Sequence, residues 1–463
     1  MAEPGGILGA IAAARGEDLA ARFAGVSIDA LRASACPTQR SLAAAIARPG
    51  TRFILEIKKA SPSAGSIAAQ ADVAAVARRY APVADAVSVL TEPRHFGGSL
   101  DDLARVRAAF DGPILAKDFI VDVRQVAEAR IAGADAVLVM LSLLDDVAAR
   151  EVIVEAERFA MDALVEVHDE AEMARALGLG APLIGINNRD LRDLSVDLRT
   201  TERLARLAPG RLLVAESGIR GRGDVERLAP HVDGVLVGTS LMRAVDLADA
   251  ARALVFGRVK LCGLSRIEDV EAARAAAFAG FVFVPDSVRR VSVETAVPLS
   301  GLARHFGMLP VGVFRDEAPS LVAGISRRLD LHAVQLHGSE DADYIRGLRR
   351  QLPEACEIWT AIDASRSMPP REGGDRLVFD NGGGGTGRMF DWRVIDDHPR
   401  LGSALVAGGI GADNARDAMR LGAYAIDVGS RVESAPGVKS ADKIRSLFDA
   451  LRPSCRQELR ACA

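Results

Sequence analysis

At 463 residues the chain exceeds one ordinary core and suits two domains of about 200 to 250 residues each. Hydrophobic residues make up 49% and charged residues 26%, which fits a folded soluble protein, and a formal net charge of -4 gives no basic footprint for nucleic acid. No apolar run reaches membrane-spanning length, and the start lacks a basic leader with a hydrophobic core.

Residues 1 to about 50 read as helical, with Ile7, Ile11, Leu19, Phe23, Leu31, Leu42 and Ile46 at roughly helical spacing. From Arg52 a beat sets in: a short apolar run, then an amphipathic segment. The runs fall at 53–58, 86–92, 113–119, 136–141, 163–168, 183–188, 212–218 and 234–240, eight in all. After Val255 eight more follow, at 259–263, 281–285, 310–314, 333–338, 358–362, 376–381, 404–409 and 425–430. Strand alternating with helix argues for parallel sheets, and eight units in each half argue for closure. An open doubly wound sheet calls for a glycine-rich first turn, and neither first strand carries one. The expected fold is therefore α/β, two consecutive (βα)8 TIM barrels. The expected domains are 1–255 with a helical N-terminal extension, 256–454, and a tail at 455–463.

In parallel barrels the active site is built at the carboxyl ends of the strands. The first half places polar residues there: Glu56 and Lys58 on one strand face, then Lys117-Asp118, Glu166, Asn187 with Arg189, Glu216-Ser217-Gly218, and Gly238-Thr239-Ser240. One charged strand end would be a satisfied ion pair. Six polar ends of eight describe a site that binds a polyanion and moves protons, since lysine and glutamate in a partly dry pocket are tuned toward neutrality. Gly218, Gly238 and Thr239 fall after strands seven and eight, where barrels hold phosphate.

The strings FILEIKKASPS, LAKDFI, INNRDL, ESGI and VGTSLM resemble those of indole-3-glycerol-phosphate synthase, across residues 50 to 245. That family closes the pyrrole ring of a carboxyphenylamino-deoxyribulose phosphate with loss of CO2 and water. The resemblance implies that Lys117 is the general acid on the substrate carbonyl and Glu166 the partner base in loss of the hydroxyl. Lys58 would hold anionic groups and keep Lys117 and Glu166 in register. Glu56, Asn187 and Glu216 would orient sugar hydroxyls, Arg189 would neutralise the benzoate, and Ser217, Gly218, Gly238 and Thr239 would cradle phosphate. Ala64 departs from a lysine common in relatives. His95 and His168 lie outside the motifs and read as structural or solvent-exposed.

In the second half Cys262 ends the first strand and Asp380 the sixth, a thiol and a carboxyl for one mouth. A lone cysteine is more often an inert core residue, with little thiolate near neutrality. Arg289 is a candidate carboxylate fork, and Gly409, Gly429 and Ser430 sit at the phosphate position. The strings VKLCGLS, AVQLHG, FDNGGGGTG, AGGIGADN and VESAPGVK resemble phosphoribosylanthranilate isomerase from about residue 258 to 450. The resemblance implies an Amadori rearrangement in which Asp380 protonates the ring oxygen and Cys262 takes the proton from the neighbouring sugar carbon. Arg289 would hold the anthranilate carboxylate and Gln335 would position the sugar. Arg431 stands where single-domain relatives often have glycine.

Together the two resemblances point to the fused enzyme of tryptophan biosynthesis, with the later step encoded first. Alternatives are a phosphosugar isomerase of another pathway, or one barrel retained only as a scaffold. The first has no use for the Glu56, Lys58, Lys117 and Glu166 set, and intact Cys262, Asp380 and Arg289 speak against the second. Expected partners are small phosphorylated substrates, with no nucleic acid and no membrane, and fusion favours a monomer. Five cysteines (Cys36, Cys262, Cys356, Cys455, Cys462) without CxxC or Cys/His pairing fit a reducing cytoplasm and argue against a disulfide framework or structural zinc. No cofactor and no metal are expected.

Overall fold

The computed structural model describes residues 6–62, 65–190, 193–366, 372–382, 387–456 and 458. They form two compact units, Met1–Leu247 with Pro453–Ala463, and Ala248–Arg452. In the first, strands β1 (Arg52–Ile57), β2 (Ala86–Leu90), β3 (Ile114–Lys117), β4 (Ala136–Met140), β5 (Asp162–Val167), β6 (Leu183–Asn187), β7 (Leu212–Glu216) and β8 (Gly234–Val237) are all parallel. Each pairs with its neighbour in sequence, and β1 closes on β8 with Leu55 opposite Val237. The second unit repeats this with β9 (Val259–Cys262), β10 (Phe278–Val282), β11 (Leu309–Phe314), β12 (Ala333–Leu336), β13 (Glu357–Asp363), β14 (Arg376–Asp380), β15 (Leu405–Val406) and β16 (Ala425–Val428). There β9 closes on β16 with Leu261 opposite Val428. Two closed eight-stranded parallel barrels follow one another in the chain.

The two-residue period of the strands fixes what each barrel holds inside. In the first, Ile54, Leu115, Leu164, Leu183, Val214 and Leu236 join one buried apolar layer. The next inward positions toward the carboxyl ends are Glu56, Lys117, Glu166, Gly185, Glu216 and Gly238, so an apolar floor carries a charged layer above it. Helices α1 (Gly6–Arg22), α2 (Ile28–Ser34) and α3 (Leu42–Ile46) precede the barrel. Leu42 and Ile46 of α3 are wholly buried in that same apolar layer and seal the floor. At the other end α1 is tied down by Arg15, whose guanidinium donates to Asp118 at 2.6 Å, while Thr91 donates to the same oxygen at 2.7 Å. Asp118 is therefore an anchor for α1.

In the second barrel Phe278, Val311, Ala333, Trp359, Val378, Leu405 and Ala425 make the apolar layer. The apolar run at 281–285 suggests a strand there, but β10 begins at Phe278, because alanine and glycine before it carry little strand signal while still packing well inside. Gly280 shows why: a Cβ there would lie 2.9 Å from Cys262 Cα and 3.1 Å from its Sγ. No larger residue fits beside Cys262.

From Ala248 on, the helix Leu247–Val255 belongs to the second unit, where Arg252 donates to the carbonyls of Arg274 and Gly307 at 2.9 and 3.1 Å. The compact units thus divide ahead of the boundary that the apolar runs suggest. The chain from Pro453 returns to the first: Pro453 O accepts from Thr51 N at 2.9 Å, and Arg456 donates to Ala208 O at 2.7 Å. Among the described residues no helix is long and apolar enough to cross a membrane.

Candidate active sites

The mouth of the first barrel holds a cavity of about 570 Å³. Glu56, Lys58, Lys117, Glu166, Asn187, Arg189, Ser217, Gly218, Gly238 and Thr239 all line it, with Ile11, Phe96, Phe119 and Leu138 as an apolar wall. Lys117 is its centre. The ammonium contacts Glu216 directly and lies 3.8 Å from both Glu56 and Glu166. Burial opposes its charge, but three carboxylates outweigh burial and hold the lysine above its ordinary range. Glu216 shows the opposite balance. It is fully buried beneath the cavity, so desolvation dominates the attraction of Lys117 and its pKa is pushed up to about 7. Gly185 on the adjacent strand makes room for it, since a Cβ there would collide with the carboxylate.

Lys58 pairs with Glu56 at 2.6 Å. Burial alone would raise the Glu56 carboxyl, yet Lys58 and Lys117 bring it below its usual range. Arg189 lines the cavity and donates to Leu194 O at 3.0 Å, and its backbone N–H donates to Asn187 Oδ1 at 3.0 Å. Two pairings add to the sequence expectations. Lys58 pairs with Glu56. The carboxylate nearest Lys117 is Glu216.

Both histidines of the first barrel are held by carboxylates. His95 is structural, on a short helix capped by Glu92 with Nδ1 3.2 Å from that carboxylate. His168 is held by Glu172, 3.0 Å from its Nδ1, and its Nε2 also lies 3.4 Å from Glu166. The signal was available, because His168 follows Glu166 by two and so shares its inward face. Ala64 lies outside the described residues.

The second mouth encloses about 350 Å³, lined by Cys262, Arg289, Gln335, Asp380, Gly409, Gly429 and Ser430 together. Burial pushes the Cys262 thiol up, opposed by the Lys260 ammonium. Lys260 is fully buried one inward position below Cys262 and pairs with Asp427 at 2.7 Å. Burial would also raise Asp380, but a contact from His337 Nε2 at 3.2 Å and the Asn381 N–H at 2.8 Å bring it below the usual carboxylate range. Lys260, His337 and Asp427 are absent from the sequence candidates, although each is two residues from a residue that is singled out or from a phosphate-turn glycine.

Arg289 does line the cavity, but its fork grips Glu433 bidentately at 2.7 and 2.8 Å, and Lys439 joins the same carboxylate at 2.8 Å. Arg431 also lines the cavity and is tied to Asp413 at 2.5 Å, reaching from the turn after β16 to the one after β15. Gly383–Thr386 of the tetraglycine stretch lie outside the described residues, while Gly387 lines the cavity. No group of three His, Cys, Asp or Glu among the described residues is placed to hold a metal ion.

The family model for indole-3-glycerol phosphate synthase matches residues 8–254, and that for N-(5'-phosphoribosyl)anthranilate isomerase matches 259–450. The chain is 44% identical over 421 residues to the tryptophan biosynthesis protein TrpCF of Yersinia pestis, covering 90% of this chain and 88% of that one. It is 43% identical over 422 residues to the TrpCF of Salmonella typhi, with 90% and 92% covered. The chain belongs to the bifunctional TrpCF family. Its first barrel is the synthase domain and its second the isomerase domain, so it is an enzyme of tryptophan biosynthesis with both activities. The helix Leu247–Val255 falls almost wholly within the stretch matched by the synthase model but packs with the isomerase barrel.

Proposed function

We propose that the isomerase barrel converts N-(5-phosphoribosyl)anthranilate to 1-(2-carboxyphenylamino)-1-deoxyribulose 5-phosphate, and that the synthase barrel closes this product to indole-3-glycerol phosphate. The observation that carries the second step is Lys117, charged and ringed by Glu56, Glu166 and Glu216 in a cavity with an apolar wall. Attack of the ring carbon on the substrate ketone puts charge on its oxygen, and Lys117 gives that oxygen a proton. Carbon dioxide then leaves, its bonding pair restoring the ring. Glu166 serves the loss of the hydroxyl as water. Lys58 and Arg189 offset the substrate's carboxylate, Glu56 and Asn187 hold sugar hydroxyls, and Ser217, Gly218, Gly238 and Thr239 take the phosphate. Glu216 steadies Lys117 and, with a pKa of about 7, supplies a proton at need.

In the isomerase barrel Asp380 delivers a proton to the ribose ring oxygen, opening the ring to an imine, and Cys262 removes the proton from the neighbouring carbon. His337, 3.2 Å from Asp380, stabilises the carboxylate left once that proton is delivered, and Lys260 beneath Cys262 favours the thiolate. Arg289 meets the anthranilate carboxylate, Gln335 meets the sugar, and Gly409, Gly429 and Ser430 take the phosphate. Each set comes from one barrel of one chain, so neither site needs a residue from a second copy.

Supplying phosphoribosylanthranilate alone tests the pair. Its fluorescence should change as it is consumed, with one CO2 released per substrate. Consumption without CO2 would refute the ring-closure assignment. Arg431 gives a smaller test of the phosphate placement. Arg431→Ala should raise the isomerase KM roughly fivefold with kcat unchanged, the scale of one partly exposed charge contact. An unchanged KM, and unchanged inhibition by inorganic phosphate, would put Arg431 outside the phosphate site.

A further inference from the structure

His168 stands between two glutamates with a proton to account for. Asp169 caps the helix Glu170–Gly178 by accepting from Glu172 N at 2.9 Å, which sets the turn carrying Glu172. Glu172 Oε2 then accepts from the His168 backbone N–H at 2.8 Å and faces Nδ1 at 3.0 Å. A carboxylate beside Nδ1 fixes the hydrogen on that nitrogen. Nε2 is left facing Glu166 Oε1 at 3.4 Å. Both atoms are sealed from solvent and have no hydrogen-bond partner among the described residues. A bare imidazole nitrogen against an ionised carboxylate would set two acceptors face to face in a buried site, which is costly. One proton between them removes the conflict.

We propose that His168 is a positioning residue of the synthase site that stores, and then recovers, the proton Glu166 uses to expel the hydroxyl as water. The inference rests on the reading of Glu166 as an acid–base group. Nε2–H passes its proton to Oε1, and Glu166 gives its proton to the departing hydroxyl, whose C–O bonding pair leaves with the oxygen. The adjacent C–H bond then breaks, its pair forms the ring double bond, and Glu166 returns that proton to Nε2. The pair begins and ends with one proton, so no solvent has to reach the sealed contact. The groups facing the imidazole are Glu166, Glu172 and Glu216, with Lys117 beyond them. Burial pulls the imidazole pKa down, but the three carboxylates outweigh it and the net direction is up, which favours the proton-bearing form.

The test is ring closure by the full chain from supplied ketose, across pH, with isomerase turnover in the same protein as the folding control. Wild-type kcat should fall as pH rises through the raised imidazole pKa. His168→Gln keeps a polar side chain but carries no titrating proton, so kcat should drop about tenfold to a hundredfold, KM should hold, and that limb should vanish. Glu172→Gln removes a supporting charge and should move the limb to lower pH. If His168→Gln keeps both wild-type kcat and the limb, His168 is only structural. Should that variant not fold, an unmoved limb in Glu172→Gln overturns the inference equally. Glu166→Gln separates the two readings: an active Glu166→Gln refutes the role of Glu166 itself, whereas an inactive one beside an unaffected His168→Gln refutes only the relay.

Discussion

Lys117→Ala is expected to abolish indole-ring closure while isomerisation continues in the same chain and its ketose product accumulates. Among the described residues the lysine is the one ammonium in contact with Glu216 and within 3.8 Å of Glu56 and Glu166, and Lys58 pairs with Glu56 at 2.6 Å. Removing a positioned general acid costs roughly 10²–10⁴-fold in rate. Arginine should not restore it, because guanidinium neither releases its proton readily nor fits a point-charge site. The substitution should leave the protein folded for a specific reason. The carboxylate left behind, Glu216, already titrates at about 7, and without Lys117 it rises further and is simply protonated. The sign follows. A carboxyl whose folded pKa lies above its unfolded value favours the fold while protonated and loses that contribution as pH rises through the folded value. The variant should therefore melt near the wild-type temperature in mild acid and progressively lower in alkaline buffer. Calorimetry beside a CO2 assay checks both. A folded variant that still releases CO2 would sink the assignment of Lys117.

Much of this was legible in the sequence because parallel strands advertise themselves. A strand covered on both faces reads as a dense apolar run, and sixteen such runs map onto sixteen strands. The exception, the offset of β10, came from Ala-Gly positions that identify a strand only through what they pack against, here Cys262. Site residues were legible where a charge interrupts an apolar run, as at Glu56, Lys117, Glu166 and Glu216. Partners were harder. His168, Lys260, His337 and Asp427 follow from the strand period once an inward residue is known. Glu433, on a short strand of a two-stranded sheet, and Asp413, in a turn, occupy Arg289 and Arg431, and no periodicity joins them to their partners. Nor does periodicity announce that Arg15 of the N-terminal helix reaches Asp118. Charge type is visible locally, whereas pairing depends on closure of the barrel.

Cys262→Ala should abolish isomerisation yet leave ring closure intact when the ketose is supplied. At rest the isomerase site holds its proton in the less useful place: burial keeps Cys262 a neutral thiol, and His337 helps keep Asp380 ionised. The reactive form is the tautomer with a thiolate and a protonated carboxyl, which carries the same net charge. Turnover should therefore vary little with pH between the two titrations, since pH does not shift a balance between forms holding equal numbers of protons. Lys260 favours the reactive tautomer by placing an ammonium below the sulfur, where it stays charged because Asp427 sits 2.7 Å away. Replacing Lys260 would be the less clean experiment. It would strand Asp427 as a buried unpaired carboxylate, at a cost of about 3–5 kcal/mol, and would confuse instability with lost chemistry. Cys262→Ala removes one sulfur and breaks no ion pair, so the loss of roughly 10²–10⁴-fold reads as chemistry. The measurement is isomerase kcat across pH, paired with CO2 release from supplied ketose. A folded Cys262→Ala protein that isomerises at the wild-type rate would remove the thiol from the mechanism. One that also failed to close the indole ring would mean that the two barrels do not hold separate sites.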